Sequence, residues 1–326
     1  MSGAEGALAW ETGLVPMVGV MRGGAPELVH RGMAVRVDSR GDVTAGEGDE
    51  QQLIHLRSAA KPFQALALVE TGAADALGVS SEELALACGS HRGASEHVAV
   101  VTGFLERLGV PAEALVCGGV DHMCSGKHAA MIALSVFLGL PHEGYHQPSH
   151  GVQRTIAQHV AAEADLPPDD ILDGIDGCGV PVLRMPAARV AHLYARLAAG
   201  STPALARIRD AMLAHPGLVA GEGLFDTELM RKAGGRIIAK MGADGVQAVA
   251  WRSAAGAAAQ AVVLKLCAAG AVVYGTAAAL LLRWGPEDIV PVRWAQRWLQ
   301  VRNVRDEVVG EIIPLWPDGS EEGPAT

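Results

Sequence analysis

The residues able to do chemistry in this chain gather around lysine. The stretch "LRSAAKPFQA", residues 56–65, places Ser58 three residues before Lys61 and follows the lysine with Pro62. Proline lacks an N–H and is tolerated in a helix only in the first turn, so a helix is predicted to begin at about Ser58–Lys61. Residues i and i+3 of a helix are neighbours, with Cβ atoms about 5–6 Å apart, so the Lys61 ammonium is predicted to reach the Ser58 hydroxyl. A lysine of ordinary pKa, about 10.4, is no base at neutral pH; becoming one takes a drop of about three units, or roughly 4 kcal/mol. Burial and a neighbouring cation produce shifts of that size. The pair reads as a serine nucleophile with a lysine general base. Ser58 also has a plainer role open to it, that of helix N-cap. With thirteen serines and five lysines in 326 residues, roughly 0.2 such pairs arise by chance.

Four further clusters carry reactive side chains. "LACGSHRGASEH" offers Ser90 and His91 in a turn after an apolar run, where an ordinary turn serine is a sufficient account. "GGVDHMCSGKHAAM" brings Cys124, Lys127 and His128 to the start of a helix, a place that favours thiolates and anions. There a capping Ser125 beside a buried cysteine is the plain alternative. "LDGIDGCGVPV" sets Asp176 and Cys178 in a glycine-rich turn, and "RIIAKMGADG" ends a strand on Lys240-Met241-Gly242. A lysine at a sheet edge, with Ser-x-x-Lys and a second serine elsewhere, invites comparison with the penicillin-recognising enzymes. Three of the five lysines fall in these clusters, while 21 arginines serve the rest of the chain.

The elements that must position these residues are readable in outline. "LVPMVGVMRG" and "LVHRGMAVRVDS" read as strands joined by "GGAPE", and "SRGDVTAGEGDEQQ" as a polar turn region. "SSEELALAC" reads as a capped short helix or the start of a strand. "ASEHVAVVTGFLERLG" has an amphipathic helical period, "GKHAAMIALSVFLGL" that of a helix buried on most sides, and "GVQRTIAQHVAAEADL" and "PAARVAHLYARLAAG" are further helices. β character returns in "GGRIIAKMGADGVQAVAW" and "AQAVVLKLCAAG"; "AVVYGTAAALLLRWG" is a final strand or helix. The expected architecture is α+β, one domain over 1–326. An antiparallel sheet comes from about 14–56 and 235–285, a helical lobe from about 58–230, and the tail 314–326 is loose. A cleft between sheet and lobe is the natural site.

Composition excludes several classes. Half the residues are apolar and the mean hydropathy is +0.23, as in a packed globular protein. A net charge of −10 argues against nucleic acid, which needs basic surface. No segment has the form of a secretory signal or the length of a membrane span, so a cytoplasmic location and no membrane partner are expected. Five widely spaced cysteines, an odd count with no C-x-x-C, argue against a disulfide framework or a zinc ribbon.

Taken together, "RSAAKPFQ", "ACGSH", "CSGKHAAM", "DGCGVP" and "FDTELM…AKMGADG" resemble, in order and from about residue 15 to 285, the Rhizobium-type L-asparaginases. This asparaginase II family has a serine β-lactamase-like fold. The resemblance implies hydrolysis of L-asparagine to L-aspartate and ammonia by two serine–lysine pairs, Ser58 with Lys61 and Ser90 with Lys240. It implies a metal position, usually zinc, at Cys124, Lys127 and Cys178, which the catalytic reading does not require. It places His128 and Asp176 around substrate. Arg57 and His91 are then candidate partners for the substrate carboxylate, and a homodimer is expected. After His91 the family usually reads Asn/Ser-Gly-Glu-Pro, whereas this chain has Arg92-Gly93-Ala94-Ser95. Two other readings stay open: a penicillin-recognising-type serine hydrolase acting on another amide, and a non-catalytic amino-acid-binding homologue.

Overall fold

Gly23 and Gly24 both adopt positive φ, 56° and 81°, as a two-residue hairpin turn of the primed type requires. They join strand β1 (Val15–Arg22) to β2 (Ala25–Asp38) in an antiparallel pair. The computed structural model describes residues 3–252 and 258–316. Its remaining strands are β3 (Val43–Glu47), β4 (Leu53–His55), β5 (Leu172–Ile175), β6 (Pro181–Pro186), β7 (Ile237–Gly242), β8 (Val246–Trp251), β9 (Gln260–Leu266), β10 (Gln300–Arg302) and β11 (Val308–Pro314). Eight of the strands form one antiparallel sheet in the order β10-β11-β1-β2-β9-β8-β7, with β3 beside β2. The long β2 makes this possible. Its first part pairs with β1, and its second part has β9 on one side and β3 on the other.

Strand β8 is buried at every position, which demands cover on both faces. The amphipathic helix Ala187–Ala199 packs on β2, β8 and β9, and helix Ala271–Trp284 on β8, β9 and β11. The buried apolar residues form one cluster reaching from the sheet into the middle helices. The architecture is α+β, as the order of elements implied. Several details differ from the sequence expectation. Val43–Glu47, expected as turn, is a strand, mostly exposed along its length and therefore without an apolar signal. Leu53–His55 lies outside the main sheet and pairs with β6, drawn from the expected helical lobe. The sheet runs past 285 through β10 and β11. Residues 271–284 are helical. Of the tail expected to be loose, Pro314 belongs to β11 and the Leu315 N–H donates to the Met17 carbonyl; 317–326 lie outside the described residues.

Two helices do most to position the reactive side chains. Ser81–Ala87 begins at a capping box, in which the Ser80 hydroxyl accepts from the Glu83 N–H and the Glu83 carboxylate accepts from the Ser80 N–H. It lies against Ser125–Phe137 at backbone contact distance, because Gly126 has no side chain to hold them apart. A Cβ there would sit 2.4 Å from the Leu86 carbonyl oxygen. Glycine to alanine inside a helix ordinarily stabilises by up to about 1 kcal/mol. Here Gly126→Ala is expected to do the opposite, lowering stability by about 1–3 kcal/mol in denaturant unfolding because the helices must separate. A stabilised variant would contradict this packing.

Candidate active site

The chain enters the site through a strained residue. Arg57 has φ 50°, a left-handed backbone uncommon for anything but Gly, Asn or Asp. A 3₁₀ turn, Arg57–Ala60, follows, and an α-helical turn starts at Lys61 with Pro62 inside its first turn, where its missing N–H costs nothing. The helix start therefore lies where Pro62 placed it. The predicted contact does not form. Lys61 is buried, and its Nζ donates to the Gly89 carbonyl, to Ser90 Oγ at 3.0 Å and to the Met123 carbonyl at 3.2 Å. With the Cys124 sulfur as a further partner, these acceptors occupy the ammonium, and none of its donors goes to Ser58. Among the described residues Ser58 makes no side-chain hydrogen bond, and it stays half-buried.

Ser90 follows helix Ser81–Ala87 through Gly89, where a Cβ would stand 2.5 Å from the Leu218 carbonyl oxygen. Only glycine fits there, and its own carbonyl, that of Gly89, accepts from Lys61. From the sheet side comes Lys240, wholly buried in β7, whose Nζ lies 2.9 Å from Ser90 Oγ and 2.8 Å from the Met241 carbonyl. One hydroxyl thus sits between two buried amines. The expected pairing of Ser90 with Lys240 is present geometrically, and Lys61 joins it from the other side. Burial pushes the Lys61 ammonium down; it pushes Lys240 down to about 7, with the Lys61 charge adding to it and the Asp226 carboxylate opposing it. Asp226 is itself buried, accepting from the Met241 N–H at 2.7 Å and from Gln247 Nε2 at 2.9 Å. It lies in the "FDTELM" segment that carries part of the resemblance, but spacing alone does not distinguish its carboxylate from that of Glu228.

A second cluster adjoins Lys61. Lys127 Nζ lies 2.9 Å from Cys178 Sγ, and the Cys178 thiol is hydrogen-bonded to Cys124. The hydrogen bond from Cys178, then the Lys61 and Lys127 charges, bring Cys124 down to about 5 against the effect of burial; Cys178 moves up. The two sulfurs titrate as a pair. His128 Nδ1 meets the Tyr145 hydroxyl at 2.6 Å and its ring stands beside Cys178; burial lowers it to about 4, so it is neutral. The three residues expected to bind metal do converge, on a soft N/S donor set that suits zinc. Among the described residues no three His, Cys, Asp or Glu side chains form a metal cage, so a lysine would have to complete it.

The expected substrate partners fare unevenly. His91 is not placed to pair with a carboxylate. Its Nδ1 accepts from the Gly93 N–H at 3.1 Å, so its proton is on Nε2, which donates to Ser125 Oγ at 2.9 Å. Both nitrogens are used, and burial with the neighbouring His97 takes the ring down to about 3, leaving it neutral. It braces the Ser125 helix start. The Arg92–Ser95 departure is accommodated by His97, whose Nδ1 accepts from the Ala94 N–H at 3.1 Å. Arg57 and Asp176 do meet, Nε to Oδ1 at 3.0 Å, and Asp176 also accepts from the Gly177 N–H at 2.7 Å. Arg57 pairs as well with Asp244, which lies in the "AKMGADG" motif but carries no assigned role there.

This arrangement sets an enclosed lysine–serine–lysine array, hydrogen-bonded through one hydroxyl, in the same region as a half-buried serine and an arginine. Residues 18–314 match the L-asparaginase II family, and the chain belongs to that family of amide-hydrolysing enzymes. No curated protein matches it. Among the described residues no helix is long and apolar enough to cross a membrane.

The buried Lys240 makes a prediction for stability. Its ordinary value is 10.5 and its folded value about 7. Between those values the unfolded chain binds more protons, so stability rises with pH across that window. The cost of burying the ammonium is full below about 7. The melting temperature of Lys240→Met minus that of wild type is therefore expected to be largest below pH 7 and to shrink steadily toward pH 10. A difference independent of pH would contradict it.

Proposed function

We propose that the protein hydrolyses L-asparagine to L-aspartate and ammonia through an ester on serine, with Lys61, Ser90 and Lys240 as its proton-handling centre. The observation that carries this reading is the Ser90 hydroxyl held at 3.0 and 2.9 Å from two buried amines. Two such amines cannot both stay charged at close range, so one is neutral at working pH. If Lys61 is the neutral one, its two N–H groups go to the Gly89 and Met123 carbonyls, which only accept. Its lone pair is then left for the Ser90 proton.

Ser58 is the hydroxyl that substrate reaches first, half-buried beside Arg57 and without a competing partner. It attacks the side-chain amide carbon. Its proton passes by way of Ser90 to Lys61, a gap that closes in the substrate complex, since catalytic hydrogen bonds are often long without substrate. The tetrahedral intermediate expels ammonia, which takes up that proton. Water then adds to the Ser58 ester, with the same amine as base, and aspartate leaves. In the turn at Ser58 the Ala59 and Lys61 N–H groups already donate to the Leu56 and Ser58 carbonyls, so the Ser58 N–H is the donor we assign to the oxyanion. A second reading makes Ser90 the nucleophile, favoured by its direct contact with both lysines. Zinc, when bound, would be held by Cys124, Lys127 and Cys178, and would supply a positive charge and a fixed floor beside the amide. A serine of Ser-x-x-Lys at a helix start, faced by a sheet lysine, also supports a fold relationship to the penicillin-recognising enzymes.

Ser58→Ala and Lys61→Met are each expected to cut ammonia release from asparagine by about 10²–10⁴-fold. The assay would run against glutamine and other amides, with and without zinc. A near-wild-type rate in either variant would contradict the mechanism. A diazoketone analogue of asparagine is expected to label Ser58; label on Ser90 would establish the second reading.

A further inference from the structure

Arg57, the residue next to Ser58 in the chain, also lines an open pocket of about 290 Å³. Two segments that supply the buried lysines also supply its charges. Arg57 stands directly before Ser58 and four residues before Lys61; Asp244 stands four residues after Lys240, in the turn from β7 to β8. Lys265, on β9, completes the wall and donates from Nζ to the Asp244 carbonyl. With it, four of the five lysines of the chain belong to this region.

The pocket carries both signs of charge. Arg57 and Lys265 are its cations; of its three carboxylates, Asp173 is taken by Arg184 at 2.6 Å and His55 at 3.0 Å, which leaves Asp176 and Asp244, both paired with Arg57. The two carboxylates differ in a way that matters. The Asp176 side chain is 14% exposed and is fixed by Arg57 and by the Gly177 N–H. The Asp244 side chain is 68% exposed and held by Arg57 alone among the described side chains. An ion pair that exposed is worth little and exchanges readily for another charge. An uncharged amide or a simple carboxylate would leave one sign unmatched; a zwitterion answers both.

We infer that this pocket receives the ammonium and carboxylate of an α-amino acid, with Asp244 reading the α-ammonium and Arg57 and Lys265 the α-carboxylate. On entry the substrate carboxylate replaces Asp244 on Arg57, and the freed Asp244 turns to the ammonium. Amides that carry the α-ammonium are thereby preferred over those that lack it, and Asp244 becomes the residue that sets this preference. The inference rests on the amide-hydrolysis reading and deepens it.

The test compares L-asparagine with succinamate, the same amide without its α-amino group, in wild type and Asp244→Asn. Asparagine tolerates left-handed backbone as aspartate does, so the turn at Asp244, φ 56°, is preserved. Wild type is expected to prefer L-asparagine. In Asp244→Asn the ratio of kcat/KM for asparagine to that for succinamate is expected to fall about 10- to 100-fold, mainly through KM for asparagine. Lys265→Met is expected to raise KM for both substrates, since both carry the carboxylate. An unchanged ratio in Asp244→Asn overturns the inference while leaving asparagine hydrolysis intact. Should wild type release ammonia from neither compound, the hydrolysis reading fails instead. Calorimetric binding of L-aspartate and succinate then decides the pocket: a loss of discrimination in Asp244→Asn upholds it, and equal discrimination overturns it.

Discussion

Two amines buried against one hydroxyl are the constraint on which the rest of this structure depends. An ammonium taken from water without partners would cost far more than a fold can spare. Each neighbour of Lys61 and Lys240 answers that cost. The carbonyls of Gly89, Met123 and Met241 accept from the amines. Asp226 and the Cys124 thiolate set negative charge near them. What remains uncompensated appears as lowered basicity, and a lysine of lowered basicity is what proton transfer at neutral pH requires.

The scaffold serves that arrangement through close backbone approach. Gly126 lets the Ser81–Ala87 and Ser125–Phe137 helices touch, which carries Lys127 and Cys124 toward Lys61. Gly89 lets the following turn present a carbonyl and Ser90 together. Strand β7 brings Lys240 from the opposite side, braced by Asp226 on the Met241 N–H. Three distant parts of the chain therefore meet at one oxygen atom.

Much of this is legible in the sequence, and the misses have physical causes. Lysine scarcity marks Lys61, Lys127 and Lys240, and Pro62 marks where the helix starts. Spacing fails at the next step, the Ser58–Lys61 contact. It reports which Cβ atoms are neighbours, but not where a four-carbon stem will carry a charge. Burial decides that, and it sends the ammonium to carbonyls remote in sequence. His91 reads as a carboxylate partner because composition cannot reveal that the Gly93 N–H and Ser125 already occupy both nitrogens. Asp244 and Lys265 carry no assigned role in the sequence, for their pocket exists only once β7, β9 and the Arg57 turn are assembled. Strand β3 escapes notice because its exposed faces carry no apolar alternation.

The central claim is that one of the two amines beside Ser90 is neutral at working pH. Five lysines in the chain make it directly measurable. Side-chain resonances of isotopically labelled lysine, assigned by single Lys→Arg variants, can be followed by NMR as pH is raised. The account predicts that Lys240 titrates near 7 and that Lys61 titrates below the ordinary lysine value. Titration of both Lys61 and Lys240 at the ordinary lysine value, about 10.4, would contradict it.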